Sequence, residues 1–374
     1  MSAGSDVLII GGGIVGCACA YELAKRGASV TLLEYGKAGM QATNAAAGML
    51  TPLGEHDAPN AIVRAGMEAL RAYPRDVAAL EERAGFSLEL IQDGLLKVAF
   101  NDDQAQTLQR RSAWQRELGA PVEWLNGAMC RELEPRLSER VIGGVLSPQE
   151  AWVSNQLITL ALQRVAEQLG ARVIEGAPVT RFTRARGRIS GAEAGGQTHA
   201  ADTIVLAAGA RAGQLAARMG LGEYVPVFPV RGQMVALGGM TTPIRHAISG
   251  LHGYLVPRAN GLVFVGATVE RVGFRRRTTN AGVRAMRALA EALVPQLAAA
   301  QQHFEWAGLR PGTPDEMPIV GPIGGSNVVA ATGHYRNGIL LGPITGRWIA
   351  AGICEGDWRG VPAEFSPARF AAGG

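Results

Sequence analysis

The 374-residue chain is poor in the residue patterns that carry chemistry on their own. It has four cysteines, Cys17, Cys19, Cys130 and Cys354, and no C-x-x-C. The first pair sits in an apolar, helix-like run where C-x-C suits neither a disulfide nor a metal. The thiols therefore read as small buried hydrophobes of a reducing compartment. The six histidines are scattered, and there is no H-E-x-x-H and no G-x-S-x-G. Zinc hydrolysis and serine-type acyl transfer thus have no basis, and no metal site is expected. No stretch of 18 apolar residues is free of glycine turns or charge, so no membrane span is expected. The apolar segment 7–20 follows Asp6 rather than a basic residue and is broken by three glycines, which argues against a signal peptide and for the cytoplasm. The net charge of +4 is mild. It suits an anionic small molecule better than a nucleic acid, and "FRRRTT" (274–279) reads as a solvated loop. These absences leave the chemistry to a cofactor.

What is present is apolar and rich in glycine. Apolar residues make up 47% of the chain, charged residues 18%, and there are 50 glycines, so a folded protein of two or three domains is expected. "DVLIIGGGIVGCACAYELAKRGASVTLLEYG" (6–36) reads as strand, glycine turn, helix and strand. Its G-x-G-x-x-G falls on Gly11, Gly13 and Gly16, and an acid, Glu34, ends the second strand. Gly11 permits the tight turn, Gly13 the approach of a pyrophosphate, and Gly16 the close packing of helix on strand. The phosphates would lie at the positive end of the helix, and Glu34 would accept from ribose hydroxyls. This points to an adenine dinucleotide.

Similar apolar strands with glycine-rich exits recur at 171–176, 202–210 and 326–333, with helices at 156–170 and 337–353. The expected fold is α/β: a discontinuous Rossmann-like domain (1–85, 146–223 and 310–374) with an inserted α+β substrate domain carrying an antiparallel sheet (86–145 and 224–309). Within the latter, strands are expected at 94–100, 225–237, 254–257, 262–269 and 303–309, and helices near 103–118 and at 280–298. The shared sheet implies a cofactor held from several directions, which favours FAD.

Three further stretches are candidates for a site. "MQATNAAAGML" (40–50) is a run of small residues that could pass close to a flat ring or simply start a helix. "GHYRNGILLGP" (333–343) places Arg336 at a strand exit before an apolar helix, whose N-terminus could face a flavin. "GLRPGTPDEMPIVG" (308–321) places Arg310 between an apolar strand and a turn. Tyr254 starts another strand and could reach substrate or be structural.

Together with "TNAAAGML" (43–50), "PVRGQ" (229–233), "YLVPR" (254–258), "VGATVE" (265–270) and "WAGLRPGTPDEMPIVG" (306–321), these motifs resemble the D-amino-acid-oxidase-like flavoprotein family over nearly the whole chain. The likeness is greatest to its glycine-oxidising branch in the thiamine pathway. The resemblance implies noncovalent FAD, because no cysteine lies near Arg310, where the related sarcosine oxidases attach their flavin. It places Ile14 and Val15 at the pyrophosphate and Glu34 at the ribose. Thr43, Ala47, Gly48 and Met49 fall beside the cofactor, and Val179 at its adenine side. Gly333, His334, Tyr335, Asn337, Gly338 and Ile339 fall on the flavin side. Arg310 would bind the substrate carboxylate, with Tyr254 near it, Arg336 contributing and His252 lining the same site. The implied reaction is oxidation of glycine, sarcosine or small D-amino acids with molecular oxygen, in a homotetramer. A quinone-linked D-amino-acid dehydrogenase and a tRNA-modifying flavoprotein stay open as alternatives.

Overall fold

Apolar side chains on both faces of Val7–Ile10 demand a strand covered on both sides, and Ser5–Ile10 lies in the interior of a sheet. The computed structural model describes residues 5–54, 56–239, 244–250 and 252–371. The first sheet runs in the order Ile319–Pro322, Val328–Thr332, Gln197–Leu206, Ser5–Ile10, Val30–Leu33, Arg172–Ile174. It is parallel except at the Ile319–Pro322 edge. An antiparallel hairpin, Val179–Ala185 with Arg188–Ala194, extends Gln197–Leu206.

Alternation along these strands feeds two cores. Val7, Ile9, Leu32 and Val205 pack under helices Ile14–Lys25, Ala61–Ala84, Asn155–Gln168 and Gly338–Glu355. Leu8, Ile10, Leu33 and Ile204 pack under helix Ala212–Met219 and the hairpin. The 24-residue helix Ala61–Ala84 has no counterpart in the sequence reading. Its ends carry ordinary signals: Asn60 accepts from Val63 N–H, and Gly85 is left-handed at φ 78°. Pro74 inside it is the residue that would ordinarily argue for a break.

The second sheet has the order Gln301–Gly312, Phe228–Gly238, Val263–Gly266, Gly253–Pro257, Ala247–Gly250, Leu95–Ala99, Gly143–Ser147, Glu123–Asn126. All its pairs are antiparallel except Leu95–Ala99 with Ala247–Gly250. Val235, Leu237, Leu255 and Val265 pack on Met286, Leu289 and Leu293 of helix Asn280–Leu293. The expected helix 280–298 ends early because Pro295 starts a separate 3-10 turn, Pro295–Ala299.

The opposite face of this sheet looks toward the first. Across it, Lys97 pairs with Ser249, Ser249 with Tyr254, Tyr254 with Gly266, and Met234 with Trp306. Directly paired residues share a face. Arg310 lies inside the strand Gln301–Gly312, opposite Val230, and not beyond the strand end that was expected at 309. The ladder continues to Gly312 opposite Phe228, with Pro311 facing Pro229 on the outer strand. Among the described residues no helix is long and apolar enough to cross a membrane, and no cluster of His, Cys, Asp or Glu could hold a metal ion.

Candidate active site

The turn after Ser5–Ile10 is shaped by contacts that leave no room for side chains. Gly11 has φ 110°, and a Cβ on Gly16 would lie 1.9 Å from the Gly11 carbonyl oxygen. The carboxylate of Glu34, only 4% exposed, accepts from the N–H of Gly12 at 2.8 Å and of Gly36 at 2.9 Å. Thr43 Oγ1 accepts from Ile14 N–H at 3.1 Å, tying the start of the helix to the small-residue run.

Between the two sheets lies a cavity of ≈ 1580 Å³. That exceeds the roughly 300–1,000 Å³ of ordinary small-molecule sites, and it has room for a dinucleotide with a substrate. The structure brings every expected cofactor and substrate residue to its wall except Gly16 and Gly333. These two serve packing: a Cβ on Gly333 would lie 2.7 Å from Thr313 Cγ2. His252 is also on the wall, exposed and at φ 72°.

Arg310 is half-buried, and its Nη1 donates to the Thr268 carbonyl at 3.0 Å. Its guanidinium lies over Gly232, and among the described residues it has no carboxylate partner. Tyr254 lies against Gly266, with its hydroxyl 3.9 Å from Met234 Sδ. Arg336 is exposed at the rim, its guanidinium 5.2 Å from the Tyr335 ring centroid. His334 is 2% exposed, with Nε2 2.9 Å from Thr345 Oγ1. Burial pulls its pKa down to about 4, so the ring is neutral at pH 7.

Several wall residues escaped the sequence reading. Arg211 sits between two rings, 5.3 Å from that of Tyr35 and 5.0 Å from that of Phe274. Arg276, read as part of a solvated loop, is indeed exposed, but it lines the cavity and bonds Gln41. Lys97 and Met234 join the wall through the register of the second sheet. Only "FRRRTT" carried a local sign. Lys97 and Met234 depend on strand pairing, and Arg211 on the 3-10 turn Gly209–Arg211.

An adenine dinucleotide with a flat ring fits this wall. The glycine turn at a helix start and the buried carboxylate beside it suit the diphosphate and ribose. The main chain and small side chains of 45–49 leave a flat, close surface.

A family model, DAO: FAD dependent oxidoreductase, matches residues 6–351. Glycine oxidase of Geobacillus kaustophilus (strain HTA426) is 36% identical over 351 residues, 92% of each chain. The crystal structure of glycine oxidase from Geobacillus kaustophilus superposes with a TM-score of 0.92 at 34% identity, covering 98% of both chains. The bifunctional protein ThiO/ThiG of Trichormus variabilis is 34% identical over 98% of this chain, which spans 55% of that longer protein. The chain belongs to the DAO family of FAD-dependent oxidoreductases, and FAD is its cofactor.

Proposed function

We propose that the protein oxidises glycine and small amines such as sarcosine and small D-amino acids. The amine and dioxygen give an imine and hydrogen peroxide. Water then releases a 2-oxo acid with ammonia, or with methylamine where sarcosine is the substrate, or the imine of glycine feeds the thiazole of thiamine. The observation that carries this reading is Arg310, a guanidinium on the wall of the cavity with no carboxylate partner among the described residues. A planar fork of donors suits a carboxylate, and pairing there fixes the α-carbon of an amino acid. Tyr254 limits the space beside it.

Bound FAD supplies the two-electron oxidation. The rest is binding and placement. Glu34 takes the ribose hydroxyls, and the start of helix Ile14–Lys25, at Ile14 and Val15, faces the diphosphate. Val179 borders the adenine. Thr43 and Ala47–Met49 form one side of the ring site, and His334–Ile339 the other. No side chain has to remove a proton if the amine enters uncharged. Arg336 guards the rim. FAD is held noncovalently, a reading supported by the cysteines: three are buried and none lines the cavity.

We assign the first sheet and its helices to a cofactor domain, and the second sheet with Asn280–Leu293 to a substrate domain. The division falls near 85, 145, 223 and 309, a few residues later where Gly143–Ser147 and Gln301–Gly312 run on. Cytoplasmic placement and a homotetramer belong to the same reading. The test is Arg310→Ala. Glycine-dependent peroxide formation in air should fall roughly a thousandfold, because a charge-assisted anchor is lost, while the flavin spectrum persists. An unchanged apparent affinity for glycine overturns the assignment. Flavin bleaching by glycine without peroxide points to a quinone acceptor instead.

A further inference from the structure

Four carbonyls of the small-residue run at 43–48 are bonded to groups that do not line the cavity. Asn155 Nδ2 donates to the Thr43 carbonyl at 2.6 Å and Trp306 Nε1 to that of Ala45 at 3.1 Å. Arg258 Nη1 donates to the Ala47 carbonyl at 3.2 Å, and Val153 N–H to that of Gly48 at 3.0 Å. In a trans peptide the C=O and N–H point in opposite directions. With the Ala47 carbonyl turned to Arg258, the Gly48 N–H faces the other way, toward the cavity that Gly48 lines. Among the described residues that N–H has no acceptor. The peptide is held on both sides, by Arg258 on the Ala47 carbonyl and by Val153 N–H on that of Gly48, and only glycine fits there, since at φ 80° a Cβ would lie 2.0 Å from the Val153 carbonyl oxygen.

Arg258 does not line the cavity. Its side chain is 9% exposed, and its nearest carboxylate, Glu89, is 4.0 Å away on a side chain 40% exposed. Its guanidinium lies 5.1 Å from the Phe264 ring centroid, and Phe264 meets Trp306 edge-on at 5.0 Å. Arg258 and Trp306 thus form one packed support, reaching from the second sheet beneath 45–48. A guanidinium stays charged even where burial disfavours it, and here the charge is only partly compensated.

We propose that Arg258 is a positioning residue for the cofactor: it orients the Ala47–Gly48 peptide toward bound FAD and, from behind that peptide, raises the cofactor's reduction potential. Reduction adds two electrons and one proton to FAD, leaving it one unit more negative. A fixed dipole and a positive charge on one side favour that state. The proposal rests on the placement of the flavin ring beside Ala47–Met49.

The test is the two-electron midpoint potential of holoenzyme variants, measured by dye equilibration. Arg258→Met should lower it by about 30 mV or more, a tenfold loss of preference for the reduced cofactor. Arg258→Lys, which keeps the charge, should recover at least half of that shift. Glu89→Gln changes a half-exposed residue and removes the compensating carboxylate, so it should raise the potential. If Arg258→Met matches the parent, or, where that variant does not fold, if Glu89→Gln matches the parent, the proposal is overturned. Met49→Ala separates this outcome from a misplaced ring. A changed visible flavin band with unshifted potentials overturns the role of Arg258 alone. An unchanged band with unshifted potentials overturns the ring placement as well.

Discussion

Gly232→Ala is the sharpest probe of the proposed substrate anchor, because it removes no charged group. A Cβ on Gly232 would lie 2.3 Å from Arg310 Nη1, 2.5 Å from Nη2 and 2.6 Å from Cζ. Ordinary contact is about 3.5 Å, so the guanidinium must move by about 1 Å. It is the far end of a flexible side chain, and the strand pair Phe228–Gly238 with Gln301–Gly312 need not open to let it swing. The fold and the flavin spectrum should therefore survive. The bond from Arg310 to the Thr268 carbonyl, 3.0 Å in the parent, should be lost, and with it the direction of the fork. A misplacement of about 1 Å costs roughly a hundredfold in rate when it falls on a positioning group. The assay is steady-state peroxide formation with glycine, with FAD content measured alongside. A fall in kcat/KM of about 10² with full FAD occupancy is expected. A value within twofold of the parent would refute the placement of the substrate carboxylate on Arg310.

Three other outcomes follow from the structure. His334 titrates near 6.5 when unfolded and near 4 when buried, so the folded state resists the proton. Its share of stability is full above pH ~6.5 and declines as the pH falls toward 4, by about 2 kcal/mol between pH 8 and pH 5; in His334→Asn that part of the acid loss in thermal stability should be missing. Hydrogen bonding from Arg231 holds the Glu270 carboxyl below its ordinary pKa, so its share is intact above the usual carboxylate range and is lost as the pH falls through the depressed value. Glu270→Gln should cost about 2–3 kcal/mol in denaturant unfolding, because it strands Arg231, whose side chain is 7% exposed. Phe274→Ala removes one ring from the Arg211 stack, worth about 0.5–1 kcal/mol. The apoprotein should then bind FAD about threefold more weakly in a fluorescence titration, and an unchanged affinity would place the stack outside the cofactor site.

The first βαβ unit was legible because its signals are local: an apolar strand, three glycines with fixed duties, a helix and an acid lie within 6–36. Arg310 and Tyr254 stood out as members of long motifs, although the sequence put Arg310 just past a strand ending at 309 and the structure puts it inside that strand. The helix Ala61–Ala84 was hidden by Pro74, which its flanking caps and buried face override. Arg258 and Lys97 could not be found locally. What Arg258 reaches is decided by a carbonyl 211 residues away, and Lys97 reaches the cavity only because its strand pairs in parallel with Ala247–Gly250. Parallel pairing of strands so distant in sequence leaves no spacing to read.

One strand explains why the site depends on residues that never touch it. Along Phe228–Gly238, Val235 and Leu237 face helix Asn280–Leu293, while Gly232 and Met234 face the cavity. A slip of one residue would exchange the two sets. The polar residues of "PVRGQ" oppose that slip. Arg231 bonds Glu270 at 2.8 Å and the Arg277 carbonyl at 2.8 Å, and Gln233 bonds both Glu270 and Thr279. Both anchors lie next to Gly232 in sequence and on the side away from the cavity. Opposite Gly232 is Gly308, where a Cβ would lie 2.4 Å from Ala45 Cβ. The paired glycines thus admit the Arg310 guanidinium over Gly232 and the Ala45 methyl over Gly308. That double fit exists in one register only, so Arg231, Gln233 and Glu270 set the spacing of Arg310 and Ala45 on the cavity wall without lining it.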